Sequence, residues 1–291
     1  MKSLQHKSQL EHNIQHIFTV DVEDWYHGVA DEQIRASAEQ RLHYGMSILL
    51  ELLAEFNVKG TFFWLGHAAV ENPSIVKQVA EAGHEIGCHG WSHELVYTMS
   101  PQRFREETKR ARDTIAELAG RPVIAYRAPY FSITSKSLWA LEILADLNFQ
   151  YDSSIFPVRN WRYGIPSYEP HPQEVKTPSG TIYEIPASVR RVFKYNIPVS
   201  GGAYFRLYPY SVTRANFRAV EQKGRRVIFY IHPWELDLNH PPVPLNWKER
   251  ITHYMNRRST KTKLQRVLQD FSFAPLGEVL EKEIIHNCKR T

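Results

Sequence analysis

Two histidines four residues apart, His89 and His93 in the run Cys88-His-Gly-Trp-Ser-His93, follow an acidic segment, Asp21-Val-Glu-Asp24, in this 291-residue chain. Imidazole and carboxylate together suit zinc and its first-row neighbours. Three protein ligands on one side of such an ion leave a coordination position open for water, which a metal-assisted hydrolase needs. His89 and His93 are the nitrogen ligands of this reading, and the acid is Glu23 or Asp24. On an ideal strand Asp21 and Glu23 share a face, which favours Glu23. A bulge or turn at the strand end would present Asp24 instead, and both are kept. Either half alone is also what a capped turn and solvated acids look like, so the reading depends on the elements that place these groups.

Strand and helix signals alternate along the chain. Ile17–Asp21, Thr61–Leu65, His84–Cys88, Val123–Tyr126, Phe149–Asp152, Thr181–Ile185 and Arg226–Ile231 are short runs rich in β-branched and aromatic residues, as strands are. Between them, Leu42, Met46, Leu49, Leu50, Leu53 and Phe56 recur at intervals of three and four, which predicts a helix over 40–56. Pro73 opens and Gly83 closes a helix over 74–82. Ser100-Pro101 starts another, which runs to Leu118 and stops at Gly120. Further helices are expected over 135–147, 209–224, 263–271 and 275–285. This alternation predicts an α/β fold, a parallel sheet with helices outside. Sites in such folds lie at the carboxyl ends of the strands, where Asp21, His89, Arg127, Asp152 and His232 all fall.

Bulk properties narrow the class. Hydrophobic residues make up 43% of the chain, enough for a large core, and the formal net charge is +5. That balance is too modest to indicate nucleic acid, and no recognition motif accompanies it. Two cysteines, Cys88 and Cys288, cannot form a disulfide framework, which fits a reducing compartment. Residues 1–15 read as a polar tail with no apolar core for a signal peptide, and residues 16–291 as one catalytic domain with a helical extension from about 245. No stretch reaches the roughly 18 apolar residues of a spanning helix. The expected location is therefore the cytoplasm. Arg250, Arg257, Arg258, Lys261, Lys263 and Arg266 form a basic run. It reads as a solvated face, or as a patch giving weak peripheral contact with an anionic membrane at the inner leaflet.

At this point the chain resembles the NodB-homology polysaccharide deacetylases of carbohydrate esterase family 4. The segments that carry the likeness, in order, are Phe18-Thr-Val-Asp-Val-Glu-Asp-Trp25, His89-Gly-Trp-Ser-His93, Arg127-Ala-Pro-Tyr130, Tyr151-Asp-Ser-Ser154 and Val227-Ile-Phe-Tyr-Ile-His232. Ser200-Gly-Gly-Ala-Tyr-Phe-Arg206, His232-Pro-Trp-Glu235 and Lys263–Phe271 resemble the subgroup found near bacterial exopolysaccharide and exosortase loci. The first segment departs from the family pattern, in which two aspartates are often adjacent, because Val22 and Glu23 separate Asp21 from Asp24.

The resemblance implies a distorted (β/α) barrel of about seven parallel strands with its site at their C-terminal ends. It implies one divalent metal, zinc foremost, with cobalt, nickel or iron as substitutes. It implies removal of N-acetyl groups from N-acetylhexosamine units of a bacterial glycan, an exopolysaccharide or its lipid-linked precursor. Asp21 would be the base that takes a proton from water, with Arg127 holding it ionised. His232 would protonate the leaving nitrogen, and Asp152 would orient that imidazole. The backbone N–H of Tyr130 would help hold the oxyanion. Trp25, Trp91 and Trp234 adjoin these motifs and offer rings on which sugar C–H faces pack. The rival readings are a glycosidase using two carboxylates, which leaves the histidines unexplained, a metal-dependent hydrolase of a non-sugar amide on the same fold, and a glycan-binding protein with a decayed site.

Overall fold

A computed structural model of the chain describes residues 14–29, 32–199, 201–243, 245 and 247–288. The polar tail expected at the N-terminus falls outside these residues up to position 13, and Ser200 also lies outside them. The strands are β1 Gln15–Val22, β2 Thr61–Trp64, β3 Glu85–Cys88, β4 Ala125–Tyr126, β5 Tyr151–Asp152, β6 Gln173–Thr177, β7 Gly180–Glu184, β8 Val189–Val192, β9 Tyr195–Pro198, β10 Ile228–Ile231 and β11 Ser272–Ala274. One sheet runs in the order β10-β1-β2-β3-β4-β5-β7-β6, with β11 against the start of β1. All its ladders are parallel except β6 with β7, and the sheet curls into a half-barrel. Strands β8 and β9 form a separate antiparallel ribbon.

Register explains why distant motifs meet. Val22 pairs with Trp64, Trp64 with Cys88, Cys88 with Tyr126 and Tyr126 with Asp152. His89 and Arg127 therefore leave neighbouring strands at one level. On the other side of β1, Val20 pairs with Ile231, so His232 leaves the sheet beside Asp21. Alternation along β1 sends Phe18, Val20 and Val22 into the main hydrophobic core, while Ile17 joins Phe63, Ala125 and Ile228 on the opposite face. Both faces are buried, as expected of parallel strands. Each fully buried phenylalanine here contributes roughly 1.5–3 kcal/mol relative to exposure.

The helix Leu42–Glu55 follows the apolar spacing, burying Leu42, Met46, Leu49, Leu52 and Leu53. Its Gly45 weakens the helix intrinsically, but a Cβ there would lie 2.1 Å from the Pro233 carbonyl oxygen. Glycine thus lets the helix press directly on the turn that carries His232. The helix Pro101–Ala119 has the expected ends: Ser100 accepts the Arg103 N–H, and Gly120 adopts φ 66°. The helix expected over 135–147 begins only at Trp139. Ser137 Oγ accepts the Thr134 N–H at 3.0 Å and the Thr134 carbonyl accepts the Ser137 N–H, which makes a local turn in place of a helical one. The helix expected over 263–271 begins earlier, at Arg257.

That early start corrects the reading of the basic run. Arg257 is 7% exposed and donates to the carbonyl oxygens of Trp234 and Asp237. Lys263 is 8% exposed and donates to the carbonyls of Phe205, Arg206 and Tyr208. Both cations terminate backbone segments inside the fold, so only Arg250, Arg258, Lys261 and Arg266 of the run face solvent. No helix among the described residues is long and apolar enough to cross a membrane.

Candidate metal and acid–base site

His89 is buried directly after β3, and its Nδ1 lies 2.7 Å from the carbonyl oxygen of Arg127. A carbonyl only accepts, so Nδ1 carries the proton and Nε2 presents a lone pair. That Nε2 is 3.0 Å from Glu23 Oε1, and His93 Nε2 is 2.8 Å from the same oxygen. His93 reaches it from a left-handed backbone conformation, φ 61°, which a side chain of its size seldom adopts. Glu23, His89 and His93 are all buried. A lone pair facing a carboxylate oxygen at this distance requires a proton or a cation between them. Two imidazoles and one carboxylate form a donor set suited to zinc, cobalt, nickel or iron. Burial disfavours the Glu23 anion, but His93, His232 and the bonds from His89 and His93 outweigh it and hold the carboxyl well below its usual range.

Asp24 does not join this cluster. Its carboxylate accepts the backbone N–H groups of Trp25 at 2.8 Å, Arg41 at 2.6 Å and Leu42 at 2.9 Å. It thereby ties the loop after β1 to the start of the helix Leu42–Glu55. A second group of suitable residues, His27, His67 and Glu71, lies nearby. There, however, His27 Nδ1 already accepts the Asp24 N–H at 2.9 Å, so in the neutral ring Nε2 bears the proton and cannot ligate. The first group is the better metal holder.

Asp21 sits inside the half-barrel. Its Oδ1 accepts from Arg127 Nη1 at 2.8 Å, and its Oδ2 lies 4.0 Å from His232 Nε2. The Arg127 guanidinium is wholly buried. It also donates to Thr19 Oγ1 at 2.7 Å, the Ser153 carbonyl at 3.2 Å and Ser153 Oγ at 3.0 Å, and it packs 4.5 Å above the Phe63 ring. Such saturation is what a buried cation requires. It also holds Asp21 in one orientation.

His232 receives its orientation from a residue the sequence reading did not assign. Glu235 Oε1 is 2.7 Å from His232 Nδ1 and also accepts the His232 backbone N–H at 3.0 Å. The other oxygen of Glu235 is paired with buried Arg206. The Nε2 of His232 is left pointing at Asp21 and Glu23, 4.0 Å from each. Burial pushes the His232 pKa down, and Arg206 and His89 add to this against the opposing pull of Glu23 and Asp21. The signal for Glu235 was present in His232-Pro-Trp-Glu235: an acid three residues into a proline-led turn reaches back to the turn's first N–H.

Asp152, expected to orient His232, is instead occupied elsewhere. It accepts from Ser154 Oγ and faces Glu184, its partner in the β5–β7 ladder. One oxygen of each carboxyl, Asp152 Oδ2 and Glu184 Oε2, is buried with no other partner, which favours a proton on one of the two. Burial raises both: Asp152 to about 6 and Glu184, further raised by Asp152, well above the ordinary range. Trp91 is also displaced from its expected place. Arg110 covers its ring at 3.6 Å, and its other contacts are with Gly66 and a neighbouring groove. Cys88 is buried, which pushes its thiol up to about 12 and leaves it a small apolar side chain.

A cavity of about 240 Å³ opens onto these groups. Asp21, Glu23, His93 and His232 form its floor, and Trp25, Tyr130 and Trp234 line it. Tyr130 packs 4.3 Å from the His93 ring and donates from its hydroxyl to the Gly28 carbonyl at 3.2 Å. Trp234 stacks between His232 and His253, at 5.6 Å and 4.4 Å. Trp25 stacks on His240, and its Nε1 donates to the Glu39 carbonyl at 3.0 Å.

Comparison with known proteins gives this geometry a context. Residues 45–151 match the polysaccharide deacetylase family, and residues 153–281 match a domain of unknown function. The chain is 37% identical over 95 residues to a peptidoglycan-N-acetylglucosamine deacetylase of Bacillus cereus, covering 32% of this chain and 34% of that protein. It is 29% identical over 111 residues to a peptidoglycan deacetylase of Helicobacter pylori, covering 38% and 37%. The matches thus span about a third of each of these relatives. Among solved structures, a chain from Mycobacterium smegmatis assigned as a polysaccharide deacetylase superposes with a TM-score of 0.64 at 21% identity, covering 94% of this chain and 93% of that one. A family 4 carbohydrate esterase from Streptomyces lividans does so with a TM-score of 0.50 at 15% identity, covering 90% and 92%. These likenesses show the fold. Strand β1, which precedes both matched segments, joins them in one sheet: it pairs with β2 of the first and with β10 of the second, and so brings His232 to residues placed by β1 and β3.

Proposed function

We propose, from the match of residues 45–151 to the polysaccharide deacetylase family, that this chain is a metal-dependent hydrolase removing N-acetyl groups from N-acetylhexosamine units of a bacterial glycan. The observation that carries the reading is the convergence of His89 Nε2 and His93 Nε2 on Glu23 Oε1, with Asp21 and His232 facing the same point. Glu23, His89 and His93 would hold one divalent cation, zinc foremost. That cation would supply Lewis acidity toward the acetyl carbonyl and lower the pKa of water.

The remaining chemistry belongs to side chains of this chain. Asp21 takes the proton of the attacking water through Oδ2, the oxygen that Arg127 does not bind. The Tyr130 N–H donates to the oxygen that gains charge as water adds to the carbonyl. His232 gives a proton from Nε2 to the departing nitrogen, so that the C–N bond breaks to free amine and acetate. Its lowered pKa favours release of that proton. Glu235 keeps Nε2 aimed inward throughout. Trp25 and Trp234 offer apolar faces to the sugar ring. The acids and histidines together favour amide hydrolysis over a two-carboxylate glycosidase, which has no use for His89 and His93.

The test is acetate release from N-acetylglucosamine oligosaccharides, with and without chelator. We expect release that chelation abolishes and zinc or cobalt restores. Full activity of a His89→Ala, His93→Ala double variant in metal-free buffer would overturn the reading.

A further inference from the structure

We propose that the β8–β9 ribbon and the adjoining loop at 157–162 form a docking face for an anionic lipid bilayer. The ribbon pairs with no other strand among the described residues, so its tip stands clear of the sheet. At that tip Phe193 is 94% exposed and Tyr195 63% exposed, and Trp161 in the neighbouring loop is 82% exposed. The two segments are joined by Asn196 Nδ2, which donates to the Pro157 carbonyl at 2.7 Å.

Phe193 is the more telling residue. Its φ is 51°, in the left-handed region that a bulky side chain occupies at a cost and that glycine or asparagine would occupy readily. A phenylalanine that is both strained and almost fully in water gains nothing from packing in this chain. Contact with an apolar phase outside the chain would supply that gain.

Charge selects which phase. No acidic residue occurs between Asp152 and Glu169, or between Glu184 and Glu221. Those stretches carry Arg159 and Arg162, and Arg190, Arg191 and Lys194, close to the exposed rings. Arg159, Arg191 and Lys194 are exposed. Phenylalanine, tyrosine and tryptophan bordered by arginine and lysine, without acids, are the composition that settles at the boundary of headgroups and acyl chains. The bases add attraction to anionic headgroups that decays over a Debye length. The root of the ribbon packs against the cavity wall, since Val189 clusters with Phe131, Tyr163 and Tyr230. Docking here would bring the cavity close to the membrane surface. The docking itself does not depend on the hydrolytic reading of that cavity.

The experiment is sedimentation of the full chain with phosphatidylglycerol-rich vesicles and with pure phosphatidylcholine vesicles. Salt is set at about 0.01 M and about 1 M, where the Debye length falls from roughly 30 Å to roughly 3 Å. Two variants are compared, Phe193→Ser with Tyr195→Ser, and Arg191→Gln with Lys194→Gln, each checked for an unchanged unfolding temperature. Wild type should bind the anionic vesicles at low salt, and each variant should lose about tenfold or more in partitioning. Equal sedimentation of wild type and variants, or no vesicle binding at all, overturns the proposal. So does a variant-sensitive self-association, or variant-sensitive binding to a soluble acetylated glycan without vesicle binding, since either assigns the face to another partner.

Discussion

Glu235 Oε1 accepts two hydrogen bonds from one residue: the imidazole Nδ1 of His232 at 2.7 Å and the His232 backbone N–H at 3.0 Å. One carboxylate oxygen therefore sets both the ring tautomer and the turn that carries it. Replacing Glu235 by Gln removes a negative charge from beside the imidazole, so the His232 pKa falls further. For a group that must be protonated to act, the alkaline limb of the rate profile then moves to lower pH. We expect Glu235→Gln to lower kcat by about 10–100-fold, the usual size for loss of such a carboxylate partner, with bound metal unchanged. The unfolding temperature also falls, because Arg206 loses its partner. Asp152→Asn should leave the limb in place. Overlapping profiles for Glu235→Gln and wild type would return Glu235 to a purely structural role.

The two candidate acids after β1 separate cleanly in the geometry. Glu23→Gln should strip the site of metal, measured by elemental analysis after dialysis. Asp24→Ala should retain metal but lose stability, since three backbone N–H groups lose their acceptor. A cap of this kind contributes about 0.5–2 kcal/mol. Loss of metal from Asp24→Ala at a temperature where it is folded would reverse the assignment.

The pair of Asp152 and Glu184 makes stability depend on pH. Burial raises both carboxyls in the folded state, Asp152 to about 6 and Glu184 further. A raised folded pKa gives stability that is fully present below the unfolded value, near 4, and is lost as pH rises through the folded value. Urea unfolding should therefore show this pair's contribution declining from about pH 4 upward. Glu184→Gln keeps a donor toward Asp152 and removes one ionisation, so it should flatten that decline. An unchanged slope would show that the two carboxyls do not share a proton.

Within the basic run, Lys263 and Lys261 should behave oppositely. Lys263→Gln leaves the carbonyls of Phe205, Arg206 and Tyr208 short of a charged donor and should cost about 1–3 kcal/mol. Lys261 is exposed, and Lys261→Gln should change stability by no more than about 0.5 kcal/mol. Thermal unfolding of the two single variants decides it.

The sequence by itself determined seven strands of the main sheet, β1 to β5, β7 and β10, and the level at which the site-bearing ones end, but not β6, β8, β9 or β11. Short β-branched and aromatic runs alternating with helical spacing place Asp21, His89, Arg127 and His232 at strand ends, and parallel pairing then brings those ends together whatever loops lie between. It also narrowed the metal's acid to two neighbours by the period of the strand, with Glu23 on the favoured face. Side-chain direction after a strand ends obeys no such period, so only the tertiary structure could turn Glu23 toward the histidines and Asp24 toward Arg41 and Leu42. The partner of His232 was likewise decided by packing. The close approach of Gly45 to Pro233 and the buried Arg206 fix a turn in which Glu235 reaches the imidazole, while Glu184 on an adjacent strand claims Asp152. The cations of the basic run look alike in one dimension. Which of them end up bonded to buried carbonyls depends on the path of segments more than 20 residues away in the chain, such as Phe205 beneath Lys263, and local spacing carries no information about that.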